Sequence, residues 1–164
     1  MWQRFDFRSW DGTTLSAGCW TFDESSCHDP GPDPEPATPA IAPASGNCLA
    51  THARSTPDMG LGWPPLTLGT GTAPIVLIHG LGEHLGRYDS WATEWSADGY
   101  NVLGFDLRGH GLSPGKRGDT RQLDDHVQDI LTFLDGVHER LNRPHTATIP
   151  VIAHSMGGLL ALRA

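Results

Sequence analysis

One serine near the end of the sequence has neighbours typical of a reactive nucleophile. Ser155 lies in the run AHSMGG (153–158), between an apolar segment and a segment that predicts a helix. Small residues two places before and two places after the serine allow a sharp turn in which backbones approach closely. A strand–turn–helix of this kind presents the serine Oγ for attack, and the amino end of the helix stabilises a developing oxyanion. The pattern therefore indicates nucleophilic catalysis at a carbonyl carbon.

Two glycine-rich turns follow predicted strands and could complete a site around this serine. HGLG (79–82) comes directly after the apolar run 74–79, and DLRGHGLS (106–113) comes after the apolar run 100–106. Gly80 and Gly82 let the main chain come close to a substrate carbonyl. We therefore expect the first turn to take part in the chemistry.

The elements that must position these turns alternate between strand and helix. Continuous apolar runs at 74–79, 100–106 and 149–154 predict strands buried on both faces, as in a parallel sheet. Residues 88–98 and a segment from Gln122 onward have the spacing of helices, the second with Asp119 and Thr120 as its N-cap. Residues 4–8 and 15–22 predict an opening strand pair. The order predicts an α/β fold with a mostly parallel sheet and flanking helices.

Composition restricts the class of protein. The 164 residues include 11 Lys and Arg against 19 Asp and Glu, a formal net charge of −8, which argues against binding nucleic acid. No apolar run has the roughly 18 residues of a membrane span, and the first ten residues lack a signal-peptide core. The three cysteines predict no disulfide framework. We expect a soluble, cytoplasmic protein.

A proline-rich segment interrupts the predicted fold. Ten of the 13 prolines lie between Pro30 and Pro74, a density that excludes helix and central strand. The sequence therefore predicts three parts: an opening strand pair (1–22), a loop or disordered insertion (23–73) and a core that runs through the serine turn (74–164). So long a loop within a compact domain is uncommon; it is functional, a linker, or the result of an imperfect reading of the gene.

Three motifs occur in register: HGLGEHLGRY, GYNVLGFDLRGHGLS and AHSMGG. In these motifs, and in the opening FRSWDGTTLSAGCW, the sequence resembles the monoacylglycerol lipase and lysophospholipase-like branch of the α/β-hydrolase superfamily. The resemblance covers residues 5–22 and 74–164. It implies the amino-terminal portion of an α/β-hydrolase fold and a serine hydrolase acting on carboxylic esters of glycerol or glycerophospholipids.

The resemblance also implies roles for particular residues. Ser155 matches the nucleophile, and the backbone N–H groups of Leu81 and Met156 match the oxyanion hole. Arg108 and the glycines around it match a structural turn. The resemblance implies no metal and no organic cofactor, and an acyl ester or lipid as the substrate.

One departure from the family concerns the base that activates the serine. The family order is Ser, then Asp or Glu, then His, and only nine residues follow Ser155 here. We therefore expect a fold that is incomplete at its carboxyl end and a chain with little or no turnover. Two alternatives stay open: a non-catalytic, truncated or mis-read product, and a fragment that needs a second chain to supply the Asp and the His.

Other residue clusters have a simpler interpretation. We expect structural contacts, not base catalysis, for His79, His110 and His154. We expect boundary positions on the long helix for His126 and His138, a solvated helix face for Asp124, Asp125 and Asp129, and helix packing for Trp91 and Trp95. Cys27, His28, Cys48 and His52 are interpreted as unrelated loop residues, since adjacent Cys and His suit a tetrahedral zinc site poorly.

Overall fold

The structure is a computed structural model, which describes residues 2–21, 63, 74–119, 121–141 and 148–164. Its strands are β1 (Trp2–Arg8), β2 (Thr14–Trp20), β3 (Ile75–Ile78), β4 (Val102–Phe105) and β5 (Val151–Ala153). Its helices are a 3₁₀ helix (Leu85–Tyr88), α1 (Asp89–Ala97), α2 (Leu123–Arg140) and α3 (Met156–Arg163).

The strands form one mixed sheet in the order β1-β2-β4-β3-β5. β1 pairs antiparallel with β2 and β2 with β4, whereas β3 is parallel to both β4 and β5. Parallel neighbours need long connections between them, and here those connections contain helices. Along the chain α1 lies between β3 and β4, and α2 lies between β4 and β5. The predicted α/β class is confirmed, with a parallel half that bears the serine turn and an antiparallel hairpin at the other edge.

The main core lies on the sheet face covered by α2 and α3. β1 shows the alternation of a half-buried strand: Phe5 and Phe7 are buried, and Arg4 and Asp6 are exposed. The buried side chains on this side are Phe5, Phe7, Leu15, Ala17, Cys19, Val76, Ile78, Leu103, Phe105, Leu107, Val127, Ile130, Phe133, Val137 and Leu160.

A smaller cluster lies on the other face, under α1. Trp20, Leu77, Leu85, Ala92 and Val102 are buried there. Trp95 packs against this cluster as expected. Trp91 is 56% exposed, and its ring packs along the helix, 6.0 Å from the ring of Tyr88 and 6.4 Å from that of Trp95.

Trp63 is the one described residue of the predicted insertion, and it packs against the main core. Its ring lies 4.7 Å from that of Phe5 and is stacked at 5.3 Å on Phe133. Part of the segment 23–73 therefore contributes to the core, while the rest lies outside the described residues. The division into three parts stays a prediction.

Two expectations for the long helix are wrong. α2 begins at Leu123 with Gln122 as its N-cap residue, and the Asp119 carboxylate binds Arg121 instead of capping the helix; Thr120 lies outside the described residues. His126 and His138 are buried at 1% and 9% exposure, because they lie on the α2 face that also carries Ile130 and Val137.

Candidate active site

Ser155 lies in the turn that joins β5 to α3. Its backbone has φ 52° and ψ −118°, and it is the only described non-glycine residue with a positive φ. A serine in this sparsely populated region is strained, and such strain persists only where the surrounding structure imposes it. The side chain is exposed at the end of the strand. The geometry is that of the predicted strand–turn–helix.

Gly157 explains why a small residue must follow the serine by two places. A Cβ built on Gly157 would lie 2.5 Å from the carbonyl oxygen of His79 and 2.6 Å from that of Ile78. Only glycine permits this approach of α3 to the end of β3. A Cβ on Gly158, by contrast, would come no closer than 3.8 Å to the described atoms around it.

The turn after β3 lies beside the serine turn. β3 and β5 are parallel neighbours, and their pairing continues past the strands, since the N–H of His154 donates to the oxygen of Ile78 at 3.0 Å. Leu81 and Met156 therefore belong to two turns that leave the same edge of the sheet. A Cβ on Gly80 would lie 3.2 Å from the oxygen of His154, so the two turns touch.

The N–H groups of Leu81 and Met156 are the donors that the sequence analysis predicts for an oxyanion hole. Met156 is the first residue of α3, where backbone N–H groups lack intrahelical partners and the helix dipole is positive. Within the described chain, neither N–H donates a backbone hydrogen bond. Their role as donors to an oxyanion stays a prediction.

A carboxylate that the sequence analysis missed joins the two turns. Glu83 Oε2 accepts hydrogen bonds from the N–H of Gly80 at 2.9 Å, the hydroxyl of Tyr88 at 2.7 Å and Nδ1 of His154 at 3.0 Å. The bonds from Tyr88 and Gly80 lower the pKa of Glu83 to about 2, so the side chain is ionised at neutral pH. Its position three residues after Gly80, in a glycine-rich turn, is the signal in the sequence that could have indicated it.

His79 is a structural residue, as expected. Its Nε2 accepts the N–H of Leu107 at 3.0 Å, and its Nδ1–H donates to the oxygen of Gly80 at 2.8 Å. Burial lowers the pKa of His79, which favours the neutral ring. With both nitrogens occupied, His79 has no lone pair with which to take a proton from a serine.

The other described histidines near the site also lack the geometry of a base. His110 and His126 are buried, and their Nδ1 and Nε2 atoms, respectively, bond to the backbone oxygens of Arg108 and Asp119. His154 is directed through Nδ1 to Glu83, and no hydrogen bond joins it to the Ser155 hydroxyl among the described residues. Each of these contacts is structural.

Arg108 holds the turn after β4 in place, as expected. Its guanidinium binds both oxygens of Asp129 at 2.6 Å and Asp11 at 3.0 Å. The bonds that Arg108 donates to Asp129 raise the pKa of Arg108. Burial opposes ionisation of Asp11, but its bond from Arg108 lowers the pKa of Asp11 to about 2. The interpretation of Asp129 as solvated is wrong, since it is fully buried and also accepts from Ser9. Its position four residues before Phe133 places it on the buried face of α2.

Asp106 joins this turn to the site. One carboxylate oxygen accepts the N–H of Leu85 at 2.7 Å and the other accepts the N–H of Leu112 at 2.8 Å. The 3₁₀ helix that follows the HGLG turn is therefore anchored at the carboxyl end of β4.

Two cavities lie away from the serine. One of about 760 Å³ is lined by polar residues of the turn after β4, including Arg108, Lys116 and His126. Another of about 620 Å³ lies over β1 and β2, with Trp2, Trp20 and Leu85 in its wall. Neither is lined by Ser155.

Within the described ranges, no three His, Cys, Asp or Glu residues are grouped so as to hold a metal ion. Cys27, His28, Cys48 and His52 lie outside those ranges. None of the described helices combines the length and apolar character needed to cross a bilayer.

The chain resembles known proteins over more than half of its length. Among curated relatives it is 42% identical to a monoacylglycerol lipase of Mycolicibacterium smegmatis over 96 residues, 58% of this chain and 32% of that protein. It is 38% identical to the phospholipase YtpA of Bacillus subtilis over 93 residues, 55% of this chain and 33% of the relative. The chain thus spans about a third or less of the length of these relatives. They confirm the predicted resemblance to the monoacylglycerol lipase branch over the amino-terminal part of the fold.

Solved structures support the same fold. An α/β-hydrolase of Novosphingobium aromaticivorans superposes with a TM-score of 0.55 at 18% identity, covering 99% of this chain and 38% of that one. The model of the serine aminopeptidase S33 family matches residues 70–164. These residues include β3, β4, β5 and both turns of the candidate site, and the chain therefore belongs to the serine aminopeptidase S33 family of α/β-hydrolases.

Proposed function

We propose that this chain carries the nucleophile and the oxyanion hole of a carboxylic ester hydrolase. Ser155 Oγ attacks the acyl carbonyl, and the oxyanion accepts hydrogen bonds from the N–H groups of Leu81 and Met156. The ester C–O bond then breaks, the alcohol leaves with a proton, and water hydrolyses the acyl-serine to release the acid. The observation that carries this proposal is the positive φ of Ser155 at the junction of β5 and α3.

The substrate class follows from the relatives. One is named a monoacylglycerol lipase and another a phospholipase, and each alignment covers more than half of this chain. Acyl esters of glycerol or of glycerophospholipids are therefore the proposed substrates.

The 164-residue chain alone is proposed to have little or no turnover. None of the described histidines hydrogen bonds to Ser155, and His79 has both nitrogens occupied. Serine without a general base is a weak nucleophile at neutral pH. A second chain that supplies the base stays an alternative that no described contact supports.

Slow covalent modification tests the proposal without requiring turnover, because oxyanion-hole binding accelerates reaction even where the base is absent. The purified chain is incubated with an alkyl fluorophosphonate at pH 9, where Ser155 Oγ forms a bond to phosphorus, fluoride leaves and hydroxide takes the serine proton. Peptide mapping compares Ser155 with Ser90, an exposed serine on α1.

We expect modification at Ser155 to be about 10² to 10³ times faster than at Ser90. The Ser155→Ala chain should lose the fast modification and keep the slow one. Equal rates at the two serines would show that the turn does not activate Ser155. Rapid, Ser155-dependent hydrolysis of p-nitrophenyl butyrate by the chain alone would contradict the proposed lack of turnover.

A further inference from the structure

The Glu83 carboxylate is bonded to three separate pieces of chain. Its Oε2 receives the N–H of Gly80, at the start of the turn after β3, and the hydroxyl of Tyr88, at the end of the 3₁₀ helix. It also receives Nδ1 of His154, the residue just before Ser155. One oxygen atom therefore ties the turn after β3 to the serine turn.

The first of these bonds fixes the His79–Gly80 peptide, and a separate pair of bonds to the Gly80 carbonyl fixes the direction of the Leu81 N–H. That N–H belongs to the same planar peptide as the Gly80 carbonyl, so orienting the carbonyl orients the N–H in the opposite direction. The Gly80 oxygen is held by the His79 Nδ1–H at 2.8 Å and by the backbone N–H of Glu83 at 3.3 Å. Glu83 thus holds Gly80 from both sides, with its backbone on the carbonyl and its carboxylate on the N–H.

The bond to His154 ties the serine turn to the same atom. His154 is held by its backbone, which donates to Ile78 at 3.0 Å, and by its side chain, which binds Glu83. The His154 side chain is 63% exposed, so packing alone does not fix the ring. The carboxylate is the described contact that defines where the ring lies.

We propose that Glu83 is a positioning residue that holds the Leu81 N–H and the Ser155 turn at the separation needed to bind an oxyanion. The inference rests on the proposed function, since it concerns the geometry of that same site. Among the described residues no hydrogen bond joins Glu83 to Ser155, and the carboxylate acts through Gly80 and His154. An oxyanion donor displaced by a fraction of an ångström loses much of its effect, so loss of the carboxylate slows the reaction at Ser155.

The experiment measures phosphonylation of Ser155 in Glu83→Gln and Glu83→Ala, with Ser90 as the reference within each chain. Glu94→Gln and Glu94→Ala are the matched controls, because Glu94 is an exposed carboxylate on α1. Rates are recorded against the concentration of a long-chain fluorophosphonate, which separates the maximal rate of modification from the half-saturating concentration.

We expect Glu83→Ala to lower the maximal rate at Ser155 about tenfold or more, with the half-saturating concentration changed less than twofold. Glu83→Gln, which keeps one acceptor oxygen but no charge, should have an intermediate rate. The Glu94 variants should match the parent chain. A general loosening of the fold would instead change both parameters and the rate at Ser90.

A second measurement keeps the inference testable if Glu83→Ala does not fold. One alternative is Tyr88→Phe, which removes one donor to the Glu83 carboxylate and leaves the other two. Another is the amide proton resonance of Gly80 in an NMR spectrum, which reports the bond from Gly80 to Glu83 directly. In Glu83→Gln that resonance should move upfield while those of α2 stay in place.

The possible failures are distinguishable. If the parent chain modifies Ser155 no faster than Ser90, the proposed function fails. If it modifies Ser155 fast and Glu83→Ala does so equally fast, the proposed function stands and the positioning role of Glu83 is overturned.

Discussion

The two neighbouring strands that end at the candidate site differ in burial although their sequences are alike. β3 reads IVLI and its last three residues are at most 1% exposed, whereas β5 reads VIA and Val151 and Ile152 are 39% and 40% exposed. β3 lies between β4 and β5, and β5 is at the edge of the described sheet. The position of a strand within the sheet, and not its apolar composition, therefore determines how much of its side-chain surface is buried.

This difference affects the two halves of the site unequally. The turn with Leu81 extends from a strand supported on both sides. The turn with Ser155 extends from a strand with one described neighbour, so its position depends on the contacts that reach back to β3. Those contacts are the His154 backbone bond, the Gly157 packing and the Glu83–His154 pair.

The largest expected effect is a difference in stability between substitutions of two carboxylates on α2, the buried Asp129 and the exposed Asp124. Asp129→Ala removes the partner of a guanidinium that is itself largely buried, and we expect the free energy of unfolding to fall by about 3 kcal/mol or more. Asp124→Ala breaks an exposed pair with Arg163, at a cost below about 1 kcal/mol. Urea unfolding measures both. Equal losses would contradict the assignment of Asp129 as a core residue.

A direct test of the comparison uses two side chains that are partners in the register of β3 and β5. Leu77 is fully buried and Ile152 is 40% exposed. We expect Leu77→Ala to lower the free energy of unfolding by about 2 to 5 kcal/mol. Ile152→Ala should cost less than half as much, because much of its side chain already contacts solvent. If the two costs are equal, β5 is covered in solution.

The fold was predictable where local pattern and burial coincide. Runs such as 74–79 and 100–106 are apolar at nearly every position, a pattern typical of parallel strands, and the structure has β3 and β4 there. The N-cap of α2 was not predictable in this way. It depends on whether the Asp119 carboxylate binds the start of the helix or the side chain of Arg121, and both partners are close in sequence. Burial of His126 and Asp129 depends on which face of α2 meets the sheet.

The candidate site was predictable from its backbone requirements. A serine flanked by small residues after an apolar run predicts a strained turn, and Ser155 has it. Glu83 was missed because its role in joining the two turns depends on its bond to His154. The bond to Gly80 is local and has a signal in the sequence, but a contact across 71 residues leaves none, so the link to His154 needs the three-dimensional structure.

A smaller effect is expected from the two adjacent glycines of the serine turn. Gly157→Ala places a methyl group against the carbonyl oxygens of Ile78 and His79, which are backbone atoms that cannot move aside without displacing β3. We expect a loss of about 1 to 3 kcal/mol and slower phosphonylation of Ser155. Gly158→Ala is measured in parallel and should preserve both properties, because its methyl group meets no close neighbour. A stable, reactive Gly157→Ala chain would show that α3 does not pack on β3 as described.

The smallest effect is a dependence of stability on pH that comes from the link between the two turns. The pKa of Glu83 falls from 4.5 to about 2 on folding, because Tyr88, Gly80 and His154 donate to the ionised form. A lowered pKa contributes stability that is fully present above the unfolded value, and that stability is lost as pH falls from about 4.5 to about 2.

Glu83→Gln removes this contribution and leaves the other carboxylates unchanged. Asp11 and Asp119 also have pKa values near 2 and titrate in the same range, but they do so in both chains and cancel in the difference. The free energies of unfolding of the two chains should therefore differ most above pH 5 and converge toward pH 2. If the difference in unfolding free energy between the two chains does not change with pH, the charge of Glu83 does not contribute to holding the turns together. The side chain would then act only through hydrogen bonds and packing that glutamine does not reproduce.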